Sequence, residues 1–203
     1  MKILMTEPLQ PSGQNQFIED PEVELVTPAN LTEEGLIEAV QGVQGIAVRS
    51  AKITPKVLAA ATELRAISRH GVGYDNIAVD ALSARGIPLL LAIHANAVSV
   101  AEHTMYFILS LAKRGRLYDA AARESNFAFR NAPIAIDIAE KTLTIIGFGR
   151  IGTRLAPRAL AFDMKVIAYD PFISGDSALE GQVKLVEAMA DVLTQCDYLS
   201  LHT

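Results

Sequence analysis

The sequence predicts an α/β protein built on parallel sheets covered by helices. Short apolar runs alternate with helix-like segments from the first residue to the last. A glycine triplet, Gly147-Phe148-Gly149-Arg150-Ile151-Gly152, stands between an apolar strand and an apolar helix. The 203 residues are half hydrophobic, enough to bury one or two cores.

Five strands are expected in the first half: Lys2 to Met5, Val23 to Thr27, Gly45 to Arg49, Arg65 to Ser68 and Ile87 to Leu91. Leu36, Ile37 and Val40 recur at helical spacing after Thr32, and Thr54 with Pro55 forms an N-cap followed by a first-turn proline. A further helix is expected from Asn76 to Arg85, closed by Gly86 in a left-handed cap. A long helix from Ser99 to about Arg114 carries Val100, Met105, Phe107, Ile108 and Leu111 on more than one face, the pattern of a buried or paired helix. Gly115 to Lys141 is less regular, basic and then polar, with a break at Pro133, and reads as a connector or intersubunit arm. From Thr142 the order is strand (Leu143 to Ile146), helix (Ile151 to Phe162), strand (Lys165 to Tyr169), short strand (Val183 to Leu185), helix (Glu187 to Leu193) and strand (Tyr198 to His202).

Charge and cysteine content exclude several function classes. The net charge of −5 opposes a general attraction to nucleic acid or to anionic membranes. The longest apolar stretch, Ile87 to Ile93, falls far short of the roughly 20 residues that span a bilayer, and Ile3 to Met5 runs at once into Glu7 and Pro8 rather than into a signal-peptide core. Cys196 is the only cysteine, so an internal disulfide or a CxxC zinc or redox site cannot form. A soluble protein of the reducing cytoplasm is expected.

The glycine triplet is informative because each glycine has a steric task. Gly147 permits the tight turn, Gly149 lets a pyrophosphate approach the backbone, and Gly152 lets the helix lie close to the strand. Amides at the start of the helix then face the phosphates, aided by the helix dipole. Asp170 ends the next strand, 18 residues after Gly152, where a carboxylate accepts hydrogen bonds from ribose hydroxyls. That carboxylate repels a 2′-phosphate, so NAD is expected rather than NADP. A tight strand-to-helix turn with an acid capping a strand end is the alternative that needs no ligand.

Four stretches together carry a family likeness: Ala47-Val48-Arg49-Ser50, His70-Gly71-Val72-Gly73-Tyr74-Asp75-Asn76-Ile77, Asn96-Ala97-Val98-Ser99-Val100-Ala101-Glu102-His103, and Lys141 to Gly152 with Tyr169-Asp170-Pro171. In this order they resemble the D-isomer-specific 2-hydroxyacid dehydrogenases. The resemblance implies a flavodoxin-like substrate domain over residues 1 to 97 and a Rossmann NAD-binding domain over residues 98 to 203, incomplete at its C-terminal end. It implies that Gly71, Val72 and Gly73 meet the substrate carboxylate through backbone amides, a role that suits consecutive N–H groups in a glycine-flanked turn. It places cofactor contacts at Val72, Arg150, Ile151, Asp170 and Thr203, beside the turn glycines Gly147, Gly149 and Gly152. Arg49 is a candidate for the substrate anion, and Thr104 for the cofactor; a surface arginine and a core threonine are the plainer readings of each.

The implied activity is hydride transfer between NAD(H) and a small 2-hydroxy or 2-keto acid, in a homodimer that contacts its partner through the long helix and the arm. The arm lacks the tryptophan that relatives often carry there; Phe127 and Phe129 are candidates to fill that space. The family's catalytic Arg, Glu and His fall beyond the segment resembling Tyr198 to Thr203, so no residue of this chain receives a catalytic role, and a truncated enzyme is expected. Its last strand is expected to leave an apolar sheet edge uncovered. None of His70, His94, His103 and His202 has a carboxylate at a spacing that marks a catalytic pair, and no metal-ligand cluster is evident. A catalytically inactive NAD sensor or interaction protein is the alternative from another functional class.

Overall fold

A computed structural model describes residues 1–132, 134–173, 175, 177–179 and 181–203. The chain divides into two units, Met1–Ala95 and Asn96–Thr203.

The first unit runs β1 (Lys2–Met5), α1 (Pro11–Ile18), β2 (Glu24–Val26), α2 (Glu33–Ala39), β3 (Gly45–Val48), α3 (Pro55–Ala60), β4 (Ala66–Arg69), α4 (Val79–Ala84) and β5 (Leu89–Leu91). Its five strands pair in parallel in the order β2-β1-β3-β4-β5, the flavodoxin-like order. Parallel strands linked by helices are covered on both faces, which is why β1 and β3 read as continuous apolar runs. Ile3, Leu4 and Met5 of β1 and Ile46, Ala47 and Val48 of β3 are buried. Leu36, Val57, Leu58 and Leu82 bring the helices onto this core.

Local chemistry sets the helix ends. Thr32 accepts the Gly35 amide at 3.1 Å, and Thr54 accepts the Val57 amide at 3.3 Å with Pro55 leading the helix. Gly86, at φ 64°, donates to the Ser83 carbonyl at 3.0 Å while Ile87 donates to that of Leu82, a Schellman closure. α4 starts three residues later than the expected Asn76. Asn76 is drawn away: its side chain donates to the Ala51 carbonyl at 2.7 Å, its carbonyl accepts the Ile53 amide at 2.8 Å, and Ile53 bridges Ile77. α1 was not expected at all, since its polar sequence buries no residue.

The second unit runs α5 (Ala97–Ala112), α6 (Gly115–Arg123), a 3-10 helix (Phe127–Asn131), β6 (Thr142–Ile146), α7 (Gly152–Leu160), β7 (Lys165–Tyr169), β8 (Ser177–Ala178), β9 (Val183–Leu185), α8 (Met189–Leu193) and β10 (Tyr198–Leu201). The sheet order is β10-β6-β7-β9-β8. Its four parallel strands give 3-2-1-4 in their own numbering, the Rossmann order, and the short β8 pairs antiparallel with β9. Ala101, Met105, Ile108 and Ala112 of α5 pack into a core with Leu143, Ile145, Leu155 and Val166. The opposite face of α5 leaves Tyr106, Phe107 and Leu111 exposed, so only one side of this apolar helix is buried within the unit.

The segment from Gly115 to Lys141 holds more regular structure than expected. Arg114, at φ 52°, breaks the chain between α5 and α6, and α6 buries only Ala121, so alanines concealed its helical periodicity. Pro133, the expected break, lies outside the described residues.

Leu155 is fully buried between α7 and the sheet. Leu155→Ala is expected to destabilise the second unit by about 2–5 kcal/mol, read from urea unfolding followed by circular dichroism.

Candidate functional site

The turn between β6 and α7 is fixed by two backbone approaches. Gly147 has φ 91°, and a β-carbon there would collide with the His202 carbonyl oxygen and lie 3.1 Å from the Thr203 nitrogen. A β-carbon on Gly152 would collide with the Gly147 carbonyl oxygen. Around a β-carbon on Gly149 there is open space. Two glycines therefore close the turn against the protein itself, while the third faces outward.

Hydrogen bonds complete the arrangement. The Gly147 amide donates to the Tyr169 carbonyl at 2.8 Å, and the Phe148 amide donates to the Asp170 carboxylate at 2.8 Å. The other Asp170 oxygen accepts the Phe172 amide at 2.9 Å. Among the described residues, the amides of Gly149, Arg150 and Ile151 have no acceptor. Three exposed donors at a helix start, with room over Gly149, form a cradle for an anion that approaches the backbone closely. The residues present thus fit the pyrophosphate of a dinucleotide.

The second unit therefore brings together Gly147, Gly149, Arg150, Ile151, Gly152, Asp170 and Thr203 at the carboxyl ends of β6, β7 and β10, the side of an open parallel sheet where ligands bind. His202 was not expected in a structural role here, yet its main chain is the wall against which Gly147 packs. Its ring nitrogen Nε2 pairs with the Ser200 hydroxyl at 2.8 Å, and burial holds its pKa below the ordinary histidine value. The i, i+2 spacing of Ser200 and His202 along one strand face is the signal for that pair. Thr104 donates its hydroxyl to the Val100 carbonyl at 2.8 Å and lines a cavity of about 900 Å³ between α5 and β10, with His103, Phe107, Leu199, Ser200 and His202.

The first unit presents its own loops at the carboxyl ends of its strands. Gly71 follows β4 at φ 147°, and a β-carbon there would collide with the Arg69 guanidinium. Arg69 Nη1 donates to the His70 carbonyl at 2.9 Å, while its Nε is buried without a partner among the described residues. The Val72 and Gly73 amides also have no acceptor among the described residues. The family resemblance pointed to Gly71, Val72 and Gly73 but not to Arg69, whose signal is an arginine ending β4 two residues before the glycine turn. His70, His94 and Arg49 are exposed. No group of three or more metal-ligating side chains occurs among the described residues.

Comparison with known proteins gives this geometry a family. The D-3-phosphoglycerate dehydrogenase of Methanocaldococcus jannaschii is 37% identical over all 203 residues, and that of Rattus norvegicus 32%. The chain spans 38% of the length of each of these relatives. Among solved structures, a D-lactate dehydrogenase from Aquifex aeolicus complexed with NAD and lactic acid has 27% identity and a TM-score of 0.83, with all of this chain and 60% of that one covered. A protein from Thermus thermophilus has 27% identity and a TM-score of 0.84, with all of this chain and 65% of that one covered. The profile of the D-isomer specific 2-hydroxyacid dehydrogenase catalytic domain matches residues 3–196, and the chain belongs to that family.

Proposed function

We propose that this chain carries the NAD-binding turn and the substrate-carboxylate loop of a D-2-hydroxyacid dehydrogenase. The observation that supports this best is the row of acceptor-free amides at Gly149, Arg150 and Ile151, over which Gly149 leaves open space. In this reading those amides take the pyrophosphate of NAD, Asp170 takes the adenosine ribose, and Thr203 borders the same crevice. The relative from Aquifex aeolicus, complexed with NAD and lactic acid, supports the same ligand classes.

Residues 1–97 would serve as the substrate domain and residues 98–203 as the nucleotide domain. In the first, the Val72 and Gly73 amides receive the carboxylate of a small 2-hydroxy or 2-keto acid. The guanidinium of Arg69, whose Nε has no partner among the described residues, stands beside that loop as a cation for the same anion. When bound, the nicotinamide supplies the hydride acceptor or donor. This chain's residues bind and orient the two ligands; the proton-transfer group is not assigned to any of them.

The exposed face of α5 supports a homodimer. Tyr106, Phe107 and Leu111 are each more than half exposed, and the His103 ring packs edge-on to Phe107 with centroids 4.2 Å apart. A soluble protein would cover such an apolar surface by pairing. No helix among the described residues is long and apolar enough to cross a membrane.

Titration with NADH, followed by quenching of intrinsic tyrosine fluorescence or by calorimetry, is expected to give saturable binding. NADPH is expected to bind roughly tenfold more weakly or worse, a difference of about 1.4 kcal/mol set by repulsion from Asp170; equal affinities would overturn the assignment of that carboxylate. Gly149→Ala is expected to keep the melting temperature and weaken NADH binding, since its β-carbon enters ligand space alone. Gly147→Ala is expected to lower the melting temperature, because its β-carbon meets the His202 carbonyl. Phe107→Asp with Leu111→Asp is expected to convert a dimer to monomers in sedimentation velocity.

A further inference from the structure

Glu7 stands two residues beyond the end of β1, and its carboxylate is held by a turn on the neighbouring strand. The amides of Arg49, Ser50 and Ala51 donate to it at 3.1, 2.6 and 3.1 Å. The hydroxyls of Ser50 and Thr6 also donate to it. Three consecutive backbone N–H groups and two hydroxyls therefore converge on one anion, all supplied by the carboxyl ends of β1 and β3. No side-chain ion pair contributes: the Arg49 guanidinium has no partner among the described residues, and only its amide reaches Glu7.

One strand over, after β4, the Val72 and Gly73 amides have no acceptor among the described residues. The same sheet edge thus holds two sets of anion-seeking amides, one filled from within the chain and one open.

We propose that the Arg49–Ala51 turn, with the Thr6 hydroxyl, is a carboxylate-binding site whose resident ligand is the protein's own Glu7, and that it accepts a free small carboxylate once that side chain is withdrawn. Glu7 is then a specificity-determining residue. By filling the first site it leaves the Gly71 loop as the open place on this edge for a substrate carboxylate. That consequence rests on the substrate reading above, whereas the site itself rests only on the first unit's geometry.

Burial raises the Glu7 pKa, but the Ser50 and Thr6 hydroxyls and the Ser50 and Arg49 amides outweigh it and hold the value at about 2, below the ordinary 4.5. Its contribution to stability is therefore complete above pH 4.5 and is lost as pH falls through about 2. Of the groups bonded to it, only Arg49 carries an ionisable side chain, and it is the Arg49 amide that reaches Glu7.

The test is chemical rescue of Glu7→Ala in the full 203-residue chain, with acetate as the probe and chloride at matched ionic strength as control. Glu7→Ala is expected to melt lower than wild type. Acetate is expected to raise its melting temperature saturably, by about 4–8 °C for a unit of this size, and to move wild type no more than chloride does. Glu7→Gln fills the space without the charge, so acetate is expected to leave it unmoved, and its stability is expected to lack the wild-type fall between pH 4.5 and 2. If Glu7→Ala is recovered only as unfolded protein, acetate in the refolding buffer must restore it. Acetate acting no better than chloride in either format overturns the proposal, and it does so whether or not NADH binds.

Discussion

The second unit depends on a contact in which no side chain takes part: the α-carbon of Gly147 lies against the carbonyl of His202. That approach lets β6 turn into α7 within the width of one strand. In that turn the Gly149, Arg150 and Ile151 amides have no acceptor among the described residues. Asp170 locks the result from the other side by accepting the Phe148 amide. Both constraints hold the turn in this form, whereas the start of a helix otherwise satisfies its donors through tighter turns, side chains or water.

The two units solve one problem in two ways. Each has a sheet of mainly parallel strands whose carboxyl edge carries amides with no acceptor among the described residues, and each turn contains a glycine at positive φ, Gly71 in one and Gly147 in the other. In the second unit the amides precede a helix and borrow its dipole. In the first they lie in loops, so the extra positive charge comes from side chains, with Arg69 pressed onto Gly71. The Glu7 carboxylate shows what such amides do when an anion is within reach.

Much of this was legible in the sequence. β1 and β7 fall where the apolar runs placed them, because mostly buried parallel strands have no alternation to blur, and the half-buried β9 falls where its short run placed it too. Thr32, Thr54 and Gly86 marked helix ends by chemistry that acts within four residues. The glycine turn was legible as a turn, from its three glycines between an apolar strand and an apolar helix, whereas the contacts that fix it, Gly147 on His202 and Phe148 on Asp170, join distant parts of the chain. What escaped had its cause elsewhere in the chain. Asn76 looks helical until Ala51 and Ile53 claim it. α6 hides its face in alanines, and α1 has no buried face to show. Glu7 and Arg69 were passed over because their partners, 43 residues away in one case and behind a glycine in the other, exist only once the sheet has formed.

Asp170 holds two backbone amides at once, which bears on any attempt to redesign this molecule. One of its oxygens anchors Phe148 in the glycine turn and the other anchors Phe172 in the loop that follows β7. Exchanging it for a neutral or basic residue, the obvious route to a different coenzyme, would therefore slacken the phosphate cradle in the same stroke. Under the nucleotide reading proposed above, coenzyme choice and cradle rigidity rest on one carboxylate, and a designer who wants one changed must first supply a new acceptor for both amides.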